Sequence, residues 1–417
     1  MSLRIAIKLP FHFACLRIYF MKAGRHPPMR IDTIIDERIE AMKVTVLQET
    51  LAHGLSIVSR AVSPRSTLPV LSNVLVATDE GRLRLSATNL ELGITCWIGA
   101  KIEEEGSTTV PARTFVDLVG TLPAEQVSLN LNTTTQSLNV RAGASNTDIK
   151  CIDSQEFPPM PVPEMDSAFQ INVADFKEII QQVAFAASTD EARPVLMGVL
   201  MNVEGDKLTM AAADGFRLSV RHATLSTSAP QALSAIIPAR ALNELARITA
   251  EGGEMISMVL PKGRGQVVFR VKDAELVSQL IDGVFPDYQQ IIPRAYKSRT
   301  ILSTQSLLKA CKQAEIFARE GSNVARFNIK SSGDLEPGSV EISAQSEETG
   351  SNETIVSATI DGVGLLIAFN VRFLREVLEV VRSPNVALET SAANSPGVIR
   401  PVGSDDFLHV IMPMHLG

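Results

Sequence analysis

One phrase occurs three times along the chain: TVPARTFVDLVG at 109–120, IIPARALNELAR at 236–247 and, more loosely, AFNVRFLREVLE at 368–379. Each copy reads as a strand end, a Pro or Asn that opens a helix, an arginine two positions later, and apolar residues at helical spacing. The arginines are Arg113, Arg240 and Arg372, separated by 127 and 132 residues. Solenoid units repeat at about 20–50 residues, so this longer period is that of a small domain. A chain of 417 residues has room for three such domains, each large enough to bury a core.

The repeat extends upstream of each phrase. A strand leads into a further helix at VTVLQETLAHGLSIVSRAV (44–62), INVADFKEIIQQVAFAAS (171–188) and ILSTQSLLKACKQAEIFAR (301–319). Alternating strand patterns with turn residues follow, as in RLRLSATNLELGI and KLTMAAADGFRLSV, and more strands come after the second helix. The reading is α+β: three tandem copies of one domain, each with two helices packed on antiparallel sheets. Six helices are expected at 48–60, 112–122, 173–188, 238–250, 303–319 and 370–382. Boundaries fall at the Pro-rich EFPPMPVPEM (156–165) and at FPDYQQIIPRAYKSR (285–299), which gives domains at 42–163, 164–293 and 294–417. Residues 1–41 are read as an extension outside the fold, because a clean strand begins at MKVTVLQ and Met42 then looks like the natural beginning. The apolar LPFHFACLRIYF near the start is interrupted by His12 and Arg17 and has no small-residue cleavage site after it.

The four cysteines, Cys15, Cys96, Cys151 and Cys311, have no metal-ligand spacing and fit a reduced, cytoplasmic compartment. No apolar run approaches the ~20 residues that span a bilayer, so no membrane partner is expected. The net charge of −7 argues against a nucleic-acid partner taken as a sum, but its distribution does not. The six helical segments hold eleven basic and eight acidic residues, a net of +3, which leaves −10 for the rest. In the last helix Val371, Leu374, Val377, Leu378 and Val381 share one face and Arg372, Arg375, Glu376, Glu379 and Arg382 the other, so one side packs and one meets water or a partner.

A search for catalytic motifs finds no GxxxxGK[ST], HExxH or GxSxG. PKGRGQVVF runs straight into a strand pattern and reads as a hairpin turn rather than a phosphate loop. Asp214 in AADGFRL reads as a turn residue, and His222 and His409 as surface or edge residues of strands. The chain is read as non-catalytic and without cofactor or metal, built to hold a partner.

Seven segments, in order over residues 42–417, carry a resemblance: MKVTVLQETL, RSTLPVLSNVLV, TVPARTF, ARPVLMGVL, AADGFRLSV, IDGVFPDYQQIIP and the terminal VIMPMHLG. These are similar to the β subunit of bacterial DNA polymerase III, the sliding clamp. The resemblance implies a head-to-tail homodimer of three-domain subunits closing into a pseudo-sixfold ring of DNA-clamp domains around double-stranded DNA, held topologically and without sequence preference. It implies a processivity factor that tethers the polymerase III α subunit, the clamp loader and other proteins bearing clamp-binding motifs. Arg65 and Arg113 match DNA-contacting positions, and Arg193 lies in the matching segment of the second domain, although Pro194 and Val195 replace aromatic contacts of some members. Ile316 and Phe317 match subunit-interface positions; on a helix whose stripe is Leu307, Leu308, Cys311, Ala314 and Ala318, they point away from the sheet.

The resemblance also implies a cleft for short apolar peptides between the second and third domains. The matching positions are Leu196, Gly215, Phe216, Arg217, Leu218, Pro286, Ile291, Asn370, Phe373, Val410, Met412, Pro413, Met414 and Leu416. Leu, Met and Pro on a groove wall adapt to several partners. Without the resemblance, Val410 to Leu416 reads as a terminal core strand rather than a cleft wall. Ala213, His415 and Gly417 depart from common family residues and bear on partner affinity. The alternatives are a repeat-built binding scaffold that never encircles DNA, and an enzyme whose site is assembled from dispersed residues.

Overall fold

The computed structural model describes residues 42–63, 68–161, 168–225, 228–229, 231–249, 254–261, 265–331 and 337–415. Arg65, Leu416, Gly417 and the extension 1–41 lie outside the described residues. All six expected helices form: α1 (Gln48–Val58), α2 (Ala112–Thr121), α3 (Val173–Val183), α4 (Ala239–Ile248), α5 (Thr304–Ala318) and α6 (Val371–Val380). Helix α3 stops five residues early because the chain tightens into a 3-10 turn at Ala184–Ala186. Asn172, Ser303 and Asn370 cap α3, α5 and α6 with side-chain oxygens that accept from backbone N–H groups of the first turn. Pro111 and Pro238 precede α2 and α4, where a missing N–H costs nothing.

The strands assemble into antiparallel sheets of five, eight and twelve strands. The two larger sheets run across repeats. Strand Ala274–Gln279 of the second repeat pairs with Leu92–Gly99 of the first, with Ala274 opposite Cys96 and Ser278 opposite Leu92. Strand Phe407–Ile411 of the third pairs with Arg217–Thr224 of the second in the same sense, with Phe407 opposite Arg221 and Ile411 opposite Arg217. Each seam therefore joins the last strand of one repeat to the fourth strand of the preceding one.

The helices pack on one side of these sheets. Phe115, Leu51, Leu55, Phe176, Ile180 and Leu242 lie in one continuous core under the first two repeats, and Leu307, Cys311, Leu374 and Val377 in a second core under the third. The apolar stripe read for α6 is buried throughout. His409 corrects the reading of it as a surface or edge residue: it is 0% exposed. Its strand lies inside the twelve-stranded sheet, flanked on both sides, so neither face nor edge reaches water.

Candidate functional site

Two hairpin strands, Lys207–Ala213 and Arg217–Thr224, meet at a turn that Asp214 organises. Its Oδ1 accepts from the backbone N–H of Phe216 (2.9 Å) and Arg217 (3.0 Å), the turn role read from sequence. Gly215 has φ +94°, a conformation that excludes a side chain, and the turn leaves Phe216 58% exposed. The C-terminal segment closes on this turn. The Met412 N–H donates to Phe216 O (2.9 Å) and the Met414 N–H to Ala368 O (2.8 Å), while Pro413 bridges to Phe369. Asn370, capping α6, sets Phe373 on its first turn, half-buried. Leu196 comes from the 3-10 turn Pro194–Met197, and Pro286 and Ile291 stand exposed on the linker.

Beneath these elements lies one continuous apolar cluster, at the place where the resemblance implies a peptide cleft. Ala211, Ala213, Leu218 and Val220 of the second repeat and Val398, Leu408 and Val410 of the third form one cluster with Phe285 and Tyr288. Leu218 and Val410 sit opposite each other across the seam, each 1% exposed. Both are packed beneath the surface at this seam, because alternate residues of a strand face opposite sides. Val410 is thus buried in its strand, whereas Met412 is exposed and Pro413 and Met414 are half-buried.

Arg217 bolts the two repeats together beneath the groove. Its guanidinium donates to Asp214 Oδ2 (3.0 Å), to Glu376 of α6 and to Phe185 O (2.8 Å), and lies between the rings of Phe185 and Phe373, 5.2 and 4.2 Å from their centroids. Burial opposes ionisation of Glu376, but hydrogen bonds from Arg217 and Arg372 outweigh it and hold the carboxyl below its usual range. His409 stacks on Phe185 with 5.5 Å between centroids, and its Nδ1 lies 2.7 Å from Ser219 Oγ. Burial first, and then the Arg217 charge, press its pKa down to about 3. Sequence reasoning missed Glu376 and His409 as partners of this site; the only signal was a charged residue on the helix face nearest an apolar run.

Arg193 lies with the groove. Its Nε donates to Asp190 Oδ2 (2.9 Å), and a Cβ on Gly215 would come within 3.1 Å of its Nη1, so its neighbours are those of the Phe216 turn. Arg113 is elsewhere, on the open face of α2, with its side chain 96% exposed and a loose ion pair to Asp117 at 3.8 Å. Arg240 and Arg372 hold the equivalent exposed places on α4 and α6. Arg372 is tied to Glu376 at 2.9 Å, while Arg240 has no ion pair among the described residues. Ile316 is 58% exposed as expected. Phe317 is only half so, packing partly on the third core, because it lies one position from Ala318 on a stripe wider than that read from sequence. Among the described residues no group of His, Cys, Asp and Glu could hold a metal ion, and no helix is long and apolar enough to cross a membrane.

Comparison with known proteins places all three repeats. Family profiles for the DNA polymerase III beta subunit match in chain order: the N-terminal domain over residues 42–161, the central domain over 170–287 and the C-terminal domain over 289–415. The beta sliding clamp of Synechococcus elongatus is 34% identical over 379 residues, covering 90% of this chain and 100% of the relative. That of Bacillus subtilis is 31% identical, covering 89% and 99%. The crystal structure of the Bacillus subtilis sliding clamp superposes with a TM-score of 0.84 at 29% identity, covering 90% of this chain and 100% of that one. A Pseudomonas aeruginosa sliding clamp bound to griselimycin gives 0.81 at 29% identity with the same coverage. Matching along its length in sequence, domain order and fold, the chain belongs to the family of DNA polymerase III beta subunits, the beta sliding clamps.

Proposed function

We propose that this chain forms a head-to-tail homodimer that encircles duplex DNA and tethers a replicative polymerase and other replication and repair proteins to it, as a non-catalytic, cytoplasmic processivity factor. The domains are 42–163, 164–293 and 294–417. The observation that carries this reading is an unfinished series of seams. The first helix of each repeat leans on the second helix of the next: Arg60 after α1 pairs with Glu244 of α4 at 3.2 Å, and Glu178 of α3 with Arg382 after α6 at 3.0 Å. Continued once more, the series requires α5 to meet α2 of another copy. The sheets demand the same step. Among the described residues, Ser145–Lys150, the last strand of the first repeat, has one edge unpaired, as does the first half of Gly350–Gly362, the fourth strand of the third repeat. Those are the two strand types that pair at both internal seams. Two subunits joined this way carry six domains and leave neither edge open.

A closed ring needs only weak contacts to phosphates, since topology does the holding and tight binding would hinder sliding. Arg113, Arg240 and Arg372 on the open helix faces supply such contacts, and Arg65 is proposed to join them. The groove over Leu218 and Val410 is the docking site for short apolar peptides of the polymerase and clamp loader, with Phe216, Phe373, Met412 and Met414 as its walls. Loading the protein onto nicked circular DNA and then linearising the circle tests the reading. Release within the time of cutting is expected; unchanged retention after cutting is the behaviour of a non-encircling scaffold.

A further inference from the structure

The junction between the first and second repeats reproduces the frame of the docking groove to single hydrogen bonds. Helix α1 and α3, the 3-10 turns Pro69–Ser72 and Pro194–Met197, and the hairpin pairs Thr88↔Gly93 and Ala213↔Leu218 each stand 125 residues apart. The Gln279 N–H donates to Glu91 O (2.8 Å) where the Met412 N–H donates to Phe216 O (2.9 Å). The Ile281 N–H donates to Ile236 O (2.9 Å) where the Met414 N–H donates to Ala368 O (2.8 Å). Phe157, buried on the first linker, answers to Phe285 on the second. The chain therefore builds this groove twice.

Only the lining differs. In place of Ala211, Ala213, Leu218 and Val220, the first junction has Ser86, Thr88, Gly93 and Thr95. The hydroxyls are consumed locally: Ser86 Oγ and Thr95 Oγ1 are 3.0 Å apart, and Thr88 Oγ1 donates to Leu92 O at 3.1 Å. Gly93, at the position of Leu218, leaves the space of a side chain empty of its own atoms. Met160 from the linker enters that space: a Cβ built on Gly93 would lie 2.5 Å from Met160 Cε and 3.2 Å from its Sδ. Met160 also packs on Val70, Leu71, Leu75 and Phe157, a cluster separate from the main core. Methionine, unbranched and polarizable, suits such filling.

We propose that the first junction is a duplicate docking groove kept closed by Met160, the chain's own linker serving as resident ligand, and that the Gly93–Met160 contact limits each protomer to one docked peptide. This rests on the docking reading above. A peptide of the replicative polymerase's clamp-docking segment, titrated calorimetrically into the dimer, tests it. Wild-type protein is expected to take one peptide per protomer. Met160→Ala empties the groove, and Gly93→Ala expels the same methionine without altering it; both are expected to take two. With Phe216→Asp added to disable the groove between the second and third repeats, Met160→Ala is expected to keep one. Folded dimers of both variants that still take one peptide overturn the proposal, as does a wild type that takes two. A wild type that takes none beside a Met160→Ala that takes one removes the docking reading of the second groove and keeps the duplicate; none in either overturns both.

Discussion

His409 occupies a place that disfavours its protonated form. It is stacked on Phe185, beside Ser219 and near the Arg217 guanidinium, and fully buried. In the unfolded chain its pKa returns to the ordinary 6.5, against about 3 when folded. Between those values the unfolded state binds a proton that the folded state refuses. The stabilisation is therefore complete above pH 6.5 and declines as pH falls toward 3, by up to about 1.4 kcal/mol per pH unit. Urea unfolding across this window is expected to show that decline, and His409→Gln to flatten it. An unchanged slope in the variant would assign the acid sensitivity to other groups. Asp214 is the contrasting residue. Its turn was readable because every partner lies within three positions, whereas the neighbours of His409 at Ser219 and Phe185 lie about two hundred residues away in sequence.

Among elements, α5 packs on α6 of its own repeat but differs from α1 and α3 in meeting no second helix of a following repeat among the described residues. Leu51, Phe176 and Leu307 hold the same position in α1, α3 and α5, and so do Leu55, Ile180 and Cys311. Counting on from them sets Ile316 level with Phe185 and Arg60, both of which reach across a seam, to His409 and Glu244. Truncating Ile316 to Ala removes apolar surface worth about 1 kcal/mol at each of two interfaces, allowing for its partial exposure. The dimer dissociation constant is then expected to rise roughly 30-fold, measured by sedimentation, with thermal stability of the protomer unchanged. Phe317→Ala is expected to lower that stability too, because part of its ring belongs to the third core. Undiminished dimer in Ile316→Ala would remove α5 from the interface.

For the whole molecule, charge placement matters more than charge sum. The chain carries −7, yet its exposed arginines recur at one helical position in all three repeats. Arg372 is partly spent on Glu376, and Arg113 only weakly on Asp117, which leaves Arg113 and Arg240 as the freest. Arg113→Ala with Arg240→Ala is expected to weaken association with short duplex DNA at low salt and to reduce the slope of log K against log salt by about two, followed by fluorescence anisotropy. Fold and dimer are expected to be unaffected. A double variant with an unaltered slope would place the phosphates against other residues.

The order of elements, the threefold repetition, all six helices and the buried face of α6 were legible in the amino-acid sequence, because each depends on periodicity and capping within a dozen residues. The family was legible as well, since segments such as FPDYQQ and MPM keep both composition and order. Tertiary structure alone decided which of the residues matched to the cleft are buried and which exposed, as with Leu218 and Val410 against Phe216 and Met412. It also decided that Arg193 belongs beside Gly215, that Arg217 meets Glu376, and that Met160 fills the space above Gly93. The physical reason is common to all of these. Burial and ion pairing at a seam depend on the register between strands of different repeats, and nothing local to either strand specifies that register until the cores have packed.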